Sequence, residues 1–361
     1  GPARAEPARR GPPRAGSARE SPGPWAQAAA IGRARAAGGF GPGAGGPLGL
    51  GARRGQGENG PGRARFSPSL GSGVARRAHN PTAAAMSKTQ RLRCPVRACL
   101  SALVEQPGGF GCERGHRFDR ARGGSLNLLQ PDQRRSSEPG DPASAVAARE
   151  RLALAGVDAA LRDLVIGLVL DRELGPGSGL LELGCGVGSL LSDLGAATAG
   201  ERFGIDLAAE AVRAAARRSR PALCLVANAD HRLPFLDASL DAVVSIKAPR
   251  PMDELARVLR PGGLLLLGLP TPDDLVELRR VTAGSGLSRD PGGSLLERIP
   301  AGWRLEARCL VEERRWFPAD ELRDLAAIAY RGQRRREAER LASLPGLQVT
   351  LATQLLEFVR L

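Results

Sequence analysis

Residues 180–191 read LLELGCGVGSLL: an apolar strand at 180–183 that runs into Gly184-x-Gly186-x-Gly188 and then into a helix. Glycines at this spacing permit a tight turn and let the backbone come close to a ligand at the helix amino terminus. A glycine triplet alone is weak evidence, and the order of the elements after it strengthens the reading. The segment ERFGIDLA is a second strand ending in Asp206, about 20 residues on, where an acidic side chain can accept both ribose hydroxyls. After the helix AAEAVRAAARRS comes a third strand in ALCLVANAD, and then a fourth, LDAVVSI. The stretch KAPRPMDELARVLRPGGLLLLGLP adds a helix, a Pro-Gly-Gly turn and a fifth strand.

Repeated alternation of apolar strands and helices predicts a parallel sheet covered on both faces, a Rossmann-like α/β fold. The ligand then lies across the carboxyl ends of the first strands. Glu182, inside E-x-G-x-G-x-G, and the absence of a phosphate-gripping Lys-Ser or Lys-Thr pair argue for a nucleoside with a short charged tail. S-adenosylmethionine fits that description better than a nucleotide phosphate. Glu182, Gly184, Gly186, Gly188 and Asp206 are therefore the candidate cofactor residues. On the amino-terminal side, residues 143–173 mix apolar and charged positions at helical period, with Gly156 as a break between two helices. At the other end, LQVTLATQLLEFVRL alternates enough for a final strand, expected antiparallel at the sheet edge. Cys185, Cys224 and Cys309 read as small buried hydrophobes rather than nucleophiles.

Further upstream stand CPVRAC (94–99) and CERGHRFD (112–119). The spacing Cys94-x4-Cys99-x12-Cys112-x3-His116 is two short pairs separated by about a hairpin, which lets two knuckles converge four soft ligands on one ion. Zinc suits that set, and with no position spared for an activated water its role is structural. Gly115 and the preceding QPGGFG supply the turns that the second knuckle needs. The competing reading is three reduced thiols and a surface histidine.

Of a formal net charge of +14, residues 1–85 hold +10, from 13 Arg against 3 Glu, which leaves +4 for the rest. With 19 Gly and 11 Pro these 85 residues are too poor in large apolar side chains to offset the entropy of ordering, and are expected to form a disordered tail. Such a basic arm could hold RNA phosphates, but Met86 opens an ordinary start, which favours an upstream extension without function. A transit peptide fits less well, because Gly and Pro would interrupt an amphipathic helix. The chain is long enough for one large domain or two small ones. Six cysteines are too few for a disulfide scaffold, and no apolar run approaches the roughly 18 residues of a membrane span. No secretory signal is evident, so the expected location is cytoplasmic, with no membrane partner. The expected organisation is a tail (1–85), a zinc-binding module (86–130), a linker and helix (131–160) and a catalytic domain (161–361).

The cysteine and histidine cluster, GHRFDRARGGSLNLL, PGDPASAVAARERL, LELGCGVG, HRLPF (231–235) and RVLRPGGLLLL together give the chain from about Cys94 to Leu361 a specific likeness. It resembles the bacterial 23S ribosomal RNA guanine-N1 methyltransferases, a family that includes macrolide-resistance members. That resemblance implies a class I S-adenosylmethionine-dependent methyltransferase with a small amino-terminal zinc-binding module. It makes Cys94, Cys99, Cys112 and His116 the zinc ligands and the module an RNA-recognition element. The glycines shape the cofactor loop, Asp206 holds the ribose, and Asn228 or Asp230 lies near the adenine. The partner implied is ribosomal RNA, at a 23S hairpin loop, and a homodimer is compatible with the family.

The chain departs from the family pattern in four places. The first cysteine pair is separated by four residues where two are usual, Lys247 replaces an aromatic residue, Asp274 replaces a histidine, and Leu325-Ala326-Ala327 replaces a Met-Thr-Pro-like segment. Guanine N1 carries a hydrogen that a carboxylate or water must accept, and Asp274 is the candidate, against the alternative of a helix-start carboxylate. An extruded base is expected to stack on an aromatic ring, with Phe118, Trp316, Phe317 and Tyr330 as candidates. Arg114, Arg117, Arg120 and Arg122 around the second knuckle make a phosphate grip. Two other functions compete. A small-molecule methyltransferase shares the glycine loop but gives no reason for the zinc knuckles. An RNA-binding homologue that has lost catalysis explains the departures.

Overall fold

The computed structural model describes residues 65–70, 90–134, 136, 139–283, 290–329 and 335–361. Twelve strands and nine α-helices follow one another along this part of the chain. A strand from the upstream segment, β1 (Arg65–Leu70), precedes the zinc-knuckle hairpins β2 (Val104–Gln106), β3 (Gly109–Gly111) and β4 (Arg117–Asp119), and then β5 (Leu126–Asn127). Helices α1 (Ala143–Leu154) and α2 (Ala159–Leu170) meet at Gly156, whose φ of 79° makes the break anticipated there. The alternating core comprises β6 (Gly179–Leu183), α3 (Ser189–Ala197), β7 (Glu201–Asp206), α4 (Ala209–Arg218), β8 (Leu223–Val226), β9 (Leu240–Ile246), α5 (Met252–Val258) and β10 (Leu259–Pro270). Beyond it come α6 (Val276–Ala283), α7 (Pro291–Glu297), β11 (Trp303–Pro318), α8 (Ala319–Ala329), α9 (Arg335–Ala342) and β12 (Gly346–Arg360). Among the described residues no helix is long and apolar enough to cross a membrane.

The main sheet has nine strands in the order β1-β11-β12-β10-β9-β6-β7-β8-β5. From β10 to β5 neighbours run parallel, and the strand order reverses between β6 and β9, where an open α/β sheet leaves its crevice. The Pro-Gly-Gly turn lies inside the span of β10 as an irregularity between Leu259 and Leu264, with Gly262 at φ 78°.

Two expectations change here. The final strand β12 is antiparallel, as its alternation suggested, but it is not at the edge: β10 pairs on one side of it and β11 on the other. Its inward position explains why so few of its residues are exposed. The true edge belongs to β1, which pairs antiparallel with residues 307–312 of β11. Those six residues therefore depart from the expected disordered tail. The remainder of residues 1–85, and Tyr330, lie outside the described residues.

The zinc-knuckle segment shares its core with the sheet. Cys94, Cys99, Leu103, Phe110 and Cys112 belong to one buried cluster with Leu181, Phe203, Leu225, Phe235, Val243, Leu265 and Phe358. Phe203 and Phe235 meet edge to face, with ring centroids 5.2 Å apart, and full burial of such a side chain contributes about 1.5–3 kcal/mol. Backbone bonds extend the junction: Arg93 N–H donates to the Pro234 carbonyl and Leu128 N–H to that of Val226. A second apolar cluster, built by α2 and α3 against β6, β9 and β10, covers the opposite face. Because Pro270 pairs with Thr353, residues 346–352 run past the carboxyl end of β10 together with their β11 partners. A third cluster, with Phe317, Leu322, Leu325, Ala326 and Leu341, supports that extension.

Candidate functional site

The glycine loop caps β6 at the carboxyl end of the sheet, and Gly184, Gly186 and Gly188 all have left-handed backbone, with φ of 75°, 50° and 75°. They serve different ends. A Cβ on Gly184 would lie 2.4 Å from the Ala248 Cβ, and one on Gly188 would lie 2.7 Å from the Ala215 backbone, so these two permit close packing within the protein. At Gly186 the nearest neighbour would be the Arg149 Cδ at 4.0 Å, so this glycine faces open space that a ligand can enter. Gly186→Val is accordingly expected to weaken S-adenosylmethionine binding by at least about tenfold in calorimetry, because filling this space displaces the ligand, and to lower thermal stability as well, because a β-branched residue is strained at φ 50°.

Asp206 braces the loop. Its Oδ2 accepts the Gly186 N–H and its Oδ1 the Ala208 N–H, each at 2.9 Å, and each oxygen keeps a lone pair for a ribose hydroxyl. Burial raises its pKa although these two N–H groups and Arg149 oppose that. Glu182 is buried beneath the loop. One of its oxygens, Oε2, has no hydrogen-bond partner among the described residues, while a backbone bond from Leu191 reaches the carboxyl group, which burial pushes well above the usual range. Asn228 is buried and already employed: its amide donates to the Gln133 carbonyl at 3.1 Å and accepts the Asp230 N–H at 2.9 Å. Asp230 is exposed. Cys185 and Cys224 are free, buried thiols; burial raises both, Cys224 to about 11, which keeps them unreactive.

Residues 140–149 close over this loop, a role to which sequence reasoning assigned no residue. Gly140, at φ 94°, leaves only 2.5 Å between a would-be Cβ and the Ala208 nitrogen. Arg149 forks onto Asp141 Oδ2 through Nε at 3.1 Å and Nη2 at 2.9 Å. The signal was present in PGDPASAVAARERL, where an acid just before a helix is followed two turns later by an arginine.

Asp274 is not an open carboxylate. Its Oδ1 accepts the Ala352 N–H at 2.8 Å and lies 3.3 Å from Lys247 Nζ, so it ties the loop after β10 to β12. Nor does it cap a helix start, since α6 begins at Val276.

The four metal-binding candidates converge, with their ligand atoms all within 4.8 Å of one another. Tetrahedral zinc, with bonds of about 2.3 Å to sulfur and about 2.0–2.1 Å to nitrogen, separates sulfur pairs by about 3.8 Å and sulfur from nitrogen by about 3.6 Å. Cys99 and Cys112 Sγ are 3.9 Å apart, and His116 Nδ1 lies 3.5 Å from Cys94 Sγ and 3.3 Å from Cys112 Sγ. Three soft sulfurs and an imidazole at these separations fit zinc. The longer first knuckle is absorbed locally: Ala98 turns into left-handed backbone at φ 61°, and Cys94 N–H closes the loop onto the Ser101 carbonyl at 2.9 Å. Burial pushes the Cys94 thiol up to about 12, whereas a backbone bond from Ser101 brings Cys99 down to about 6.

Arg114, Arg117, Arg120 and Arg122 are exposed around this cluster. Arg120 pairs with Glu105 at 2.6 Å and lies 5.3 Å from the centroid of the Phe110 ring. Of the candidate base platforms, Phe317 is fully buried and Phe118 packs against the core. Trp316 is 48 % exposed, and its indole lies against Gly346.

Comparison with known proteins matches two segments of the chain. Residues 92–138 match the family model described as "RlmA, N-terminal", a zinc ribbon, and residues 181–267 match "Methyltransferase domain". The 23S rRNA (guanine(748)-N(1))-methyltransferase of Streptomyces fradiae is 31% identical over 72% of this chain and 94% of its own length. A relative from Micromonospora griseorubida, named for guanine-N(1) methylation of 23S rRNA, is 36% identical over 52% of this chain and 68% of its own. The chain belongs to the 23S rRNA (guanine-N1)-methyltransferase family. It is a class I methyltransferase with an amino-terminal zinc-binding module, and S-adenosylmethionine and zinc are its cofactors. In this family member the zinc ribbon spans the two knuckles and β2 to β5, and the matched methyltransferase segment runs from β6 into β10.

Proposed function

We propose that this chain transfers the methyl group of S-adenosylmethionine to N1 of a guanine in a hairpin loop of 23S ribosomal RNA, in the cytoplasm. The observation that carries the reading is the joining, over one continuous core, of a four-ligand zinc cluster ringed by exposed arginines and a glycine cradle left open at Gly186. Cys94, Cys99, Cys112 and His116 hold one structural zinc ion. Arg114, Arg117, Arg120 and Arg122 grip RNA phosphates, and Trp316 offers one face of its indole to a base. Gly184, Gly186, Gly188, Asp206 and Asn228 hold the cofactor, with Glu182 supporting the loop from below and Asp230 at the rim.

When bound, the cofactor supplies an electrophilic methyl group on a sulfonium. The work of the chain is to hold the guanine N1 in line with that carbon at roughly 3–3.5 Å and to keep water out. Asp274, engaged by Ala352 and Lys247, acts as a positioning group. A homodimer is part of the proposal, with light scattering at assay concentration as its check.

The test incubates the full chain with unmethylated large-subunit RNA and methyl-labelled S-adenosylmethionine and maps the label by nuclease digestion and mass spectrometry. Label on N1 of one guanine in a hairpin is the expected result. Cofactor binding without label would redirect the search to small-molecule acceptors, and failure to bind cofactor would leave the RNA-binding homologue.

A further inference from the structure

At the carboxyl end of β9, Lys247 meets two carboxylates, Asp158 and Asp274. Three non-glycine residues here hold left-handed backbone: Asp158 at φ 59°, Lys247 at φ 51° and Leu275 at φ 58°. Such conformations are uncommon outside glycine, asparagine and aspartate, and they gather at functional sites. Ser245 of β9 is level with Leu183 of β6, which places Lys247 beside the start of the glycine loop. Its own N–H is pinned to the Gly268 carbonyl at 2.7 Å, and the next residue, Ala248, abuts Gly184. Lys247 Nζ lies 3.3 Å from Asp274 Oδ1 and 3.7 Å from Asp158 Oδ1.

The two carboxylates differ. The side chain of Asp274 is 7 % exposed and serves the Ala352 N–H, whereas that of Asp158 is 36 % exposed and makes no capping bond to the helix it precedes. At 3.7 Å the pair of Lys247 and Asp158 is longer than a hydrogen bond, so both groups keep capacity for a ligand. Burial works against the Lys247 charge, but Asp158 and Asp274 outweigh it and raise its pKa. Charged groups around Asp158 include Glu313 of β11, whose carboxyl burial pushes up, with Arg315 opposing and Asp158 adding to the rise; Arg315 bonds the Ala155 carbonyl at 2.9 Å, and Arg162 of α2 donates to the Val157 carbonyl at 2.7 Å.

Resting on the function proposed for the chain, we propose that Lys247 and Asp158 read the Watson–Crick edge of the target guanine, the ammonium donating to O6 and the carboxylate accepting N1–H as general base. Guanine presents an acceptor at O6 and donors at N1 and N2, the complement of a cation beside a carboxylate. Adenine presents the reverse at its 6-amino group and N1. In the step itself the N1 proton passes to Asp158, and the electron pair of N1 forms the bond to the methyl carbon. The bond from that carbon to sulfur breaks with its pair remaining on sulfur. Negative charge that builds on O6 as N1 loses its proton meets the Lys247 ammonium, and Asp158 later returns its proton to water.

The experiment compares wild type, Asp158→Asn, Lys247→Met and Asp274→Asn as full chains, in single turnover on unmethylated 23S RNA between about pH 6 and 9. Asparagine is at home in left-handed backbone, so Asp158→Asn removes the base without disturbing the turn. It is expected to slow methylation about 10²–10⁴-fold at neutral pH, with a rate that climbs with pH, while cofactor affinity and melting temperature stay at wild-type values. Lys247→Met is expected to lose about 10²–10³-fold, and Asp274→Asn to lose stability with the pH profile unmoved. Wild-type rates and a wild-type pH profile in Asp158→Asn overturn the inference while the proposed function stands. If Asp158→Asn does not fold, Lys247→Met decides: an unchanged rate with bound cofactor overturns the inference. Wild-type protein that binds cofactor but labels no guanine N1 overturns both.

Discussion

Stripping the zinc, by chelator or by Cys112→Ser, is expected to unfold the methyltransferase sheet along with the knuckles. The reason is the shared core. The cysteines at 94, 99 and 112 sit in the same buried cluster as Phe203, Leu225, Val243, Leu265 and Phe358, which belong to the central strands. Without the ion, three thiols and an imidazole remain packed together with no partner of comparable strength. Structural zinc contributes on the order of 10–16 kcal/mol of apparent binding free energy at neutral pH, against roughly 5–15 kcal/mol for the stability of a whole domain. A loss on that scale cannot stay local when the affected side chains cover one face of the sheet.

Trp303 is the reporter. It lies in the same cluster, on β11, and its ring meets Phe358 edge to face with centroids 6.3 Å apart. Its near-ultraviolet circular dichroism is expected to vanish together with the metal, in one transition, and cofactor binding is expected to go with it. A metal-free chain that keeps the Trp303 signal and binds S-adenosylmethionine normally would show that the knuckles fold as a separate unit.

What the sequence made legible, and what it did not, divides by range. The glycine loop, Asp206 and the metal quartet are written in spacings of a few residues to about two dozen, because turn geometry and ligand convergence are local demands. The strands β6 to β9 were legible for a similar reason, since apolar runs bounded by glycine and polar residues need no partner to be recognised. The place of β12 was not, because alternation tells which face is buried and says nothing of whether another strand lies outside it. Lys247 and Asp274 were visible only as departures from a family pattern. That they meet, and that Asp158 joins them, depends on β9, the loop after β10 and the turn before α2 converging in space. Nor could spacing reveal that the Asp274 carboxylate is engaged by the Ala352 backbone.

Arg91 is the extreme case of that limit and gives the second large effect. In sequence it is one basic residue among many in an arginine-rich chain. In the fold it is buried, with a side chain 3 % exposed beneath the amino-terminal ends of three central strands. Its Nε donates to Glu201 Oε2 at 3.1 Å, its Nη1 reaches the Ser239 carbonyl and lies 3.8 Å from Asp241, and its Nη2 reaches the Gly177 carbonyl. Asp241 in turn accepts the Gly179 N–H at 2.7 Å, so one guanidinium links the start of the zinc module to β6, β7 and β9. Arg91→Met keeps much of the apolar stem and removes the charge, leaving Glu201 and Asp241 without it and two strand-end carbonyls without their donor. Breaking a buried pair from one side costs up to about 3–5 kcal/mol, and here Asp241 keeps Arg260, whose Nε lies 2.5 Å from its Oδ1, so the loss falls chiefly on Glu201 and the two carbonyls. For a domain of this size that corresponds to a fall in melting temperature of roughly 6–20 °C. The double variant Arg91→Met with Glu201→Gln is expected to recover part of the loss, since it removes the Glu201 charge together with the guanidinium it faced. A single variant that melts with the wild type would mean that the guanidinium offsets no more than its own desolvation. The hold of the zinc module on the sheet would then rest on the apolar cluster and on the backbone bonds of Arg93 and Leu128 to Pro234 and Val226.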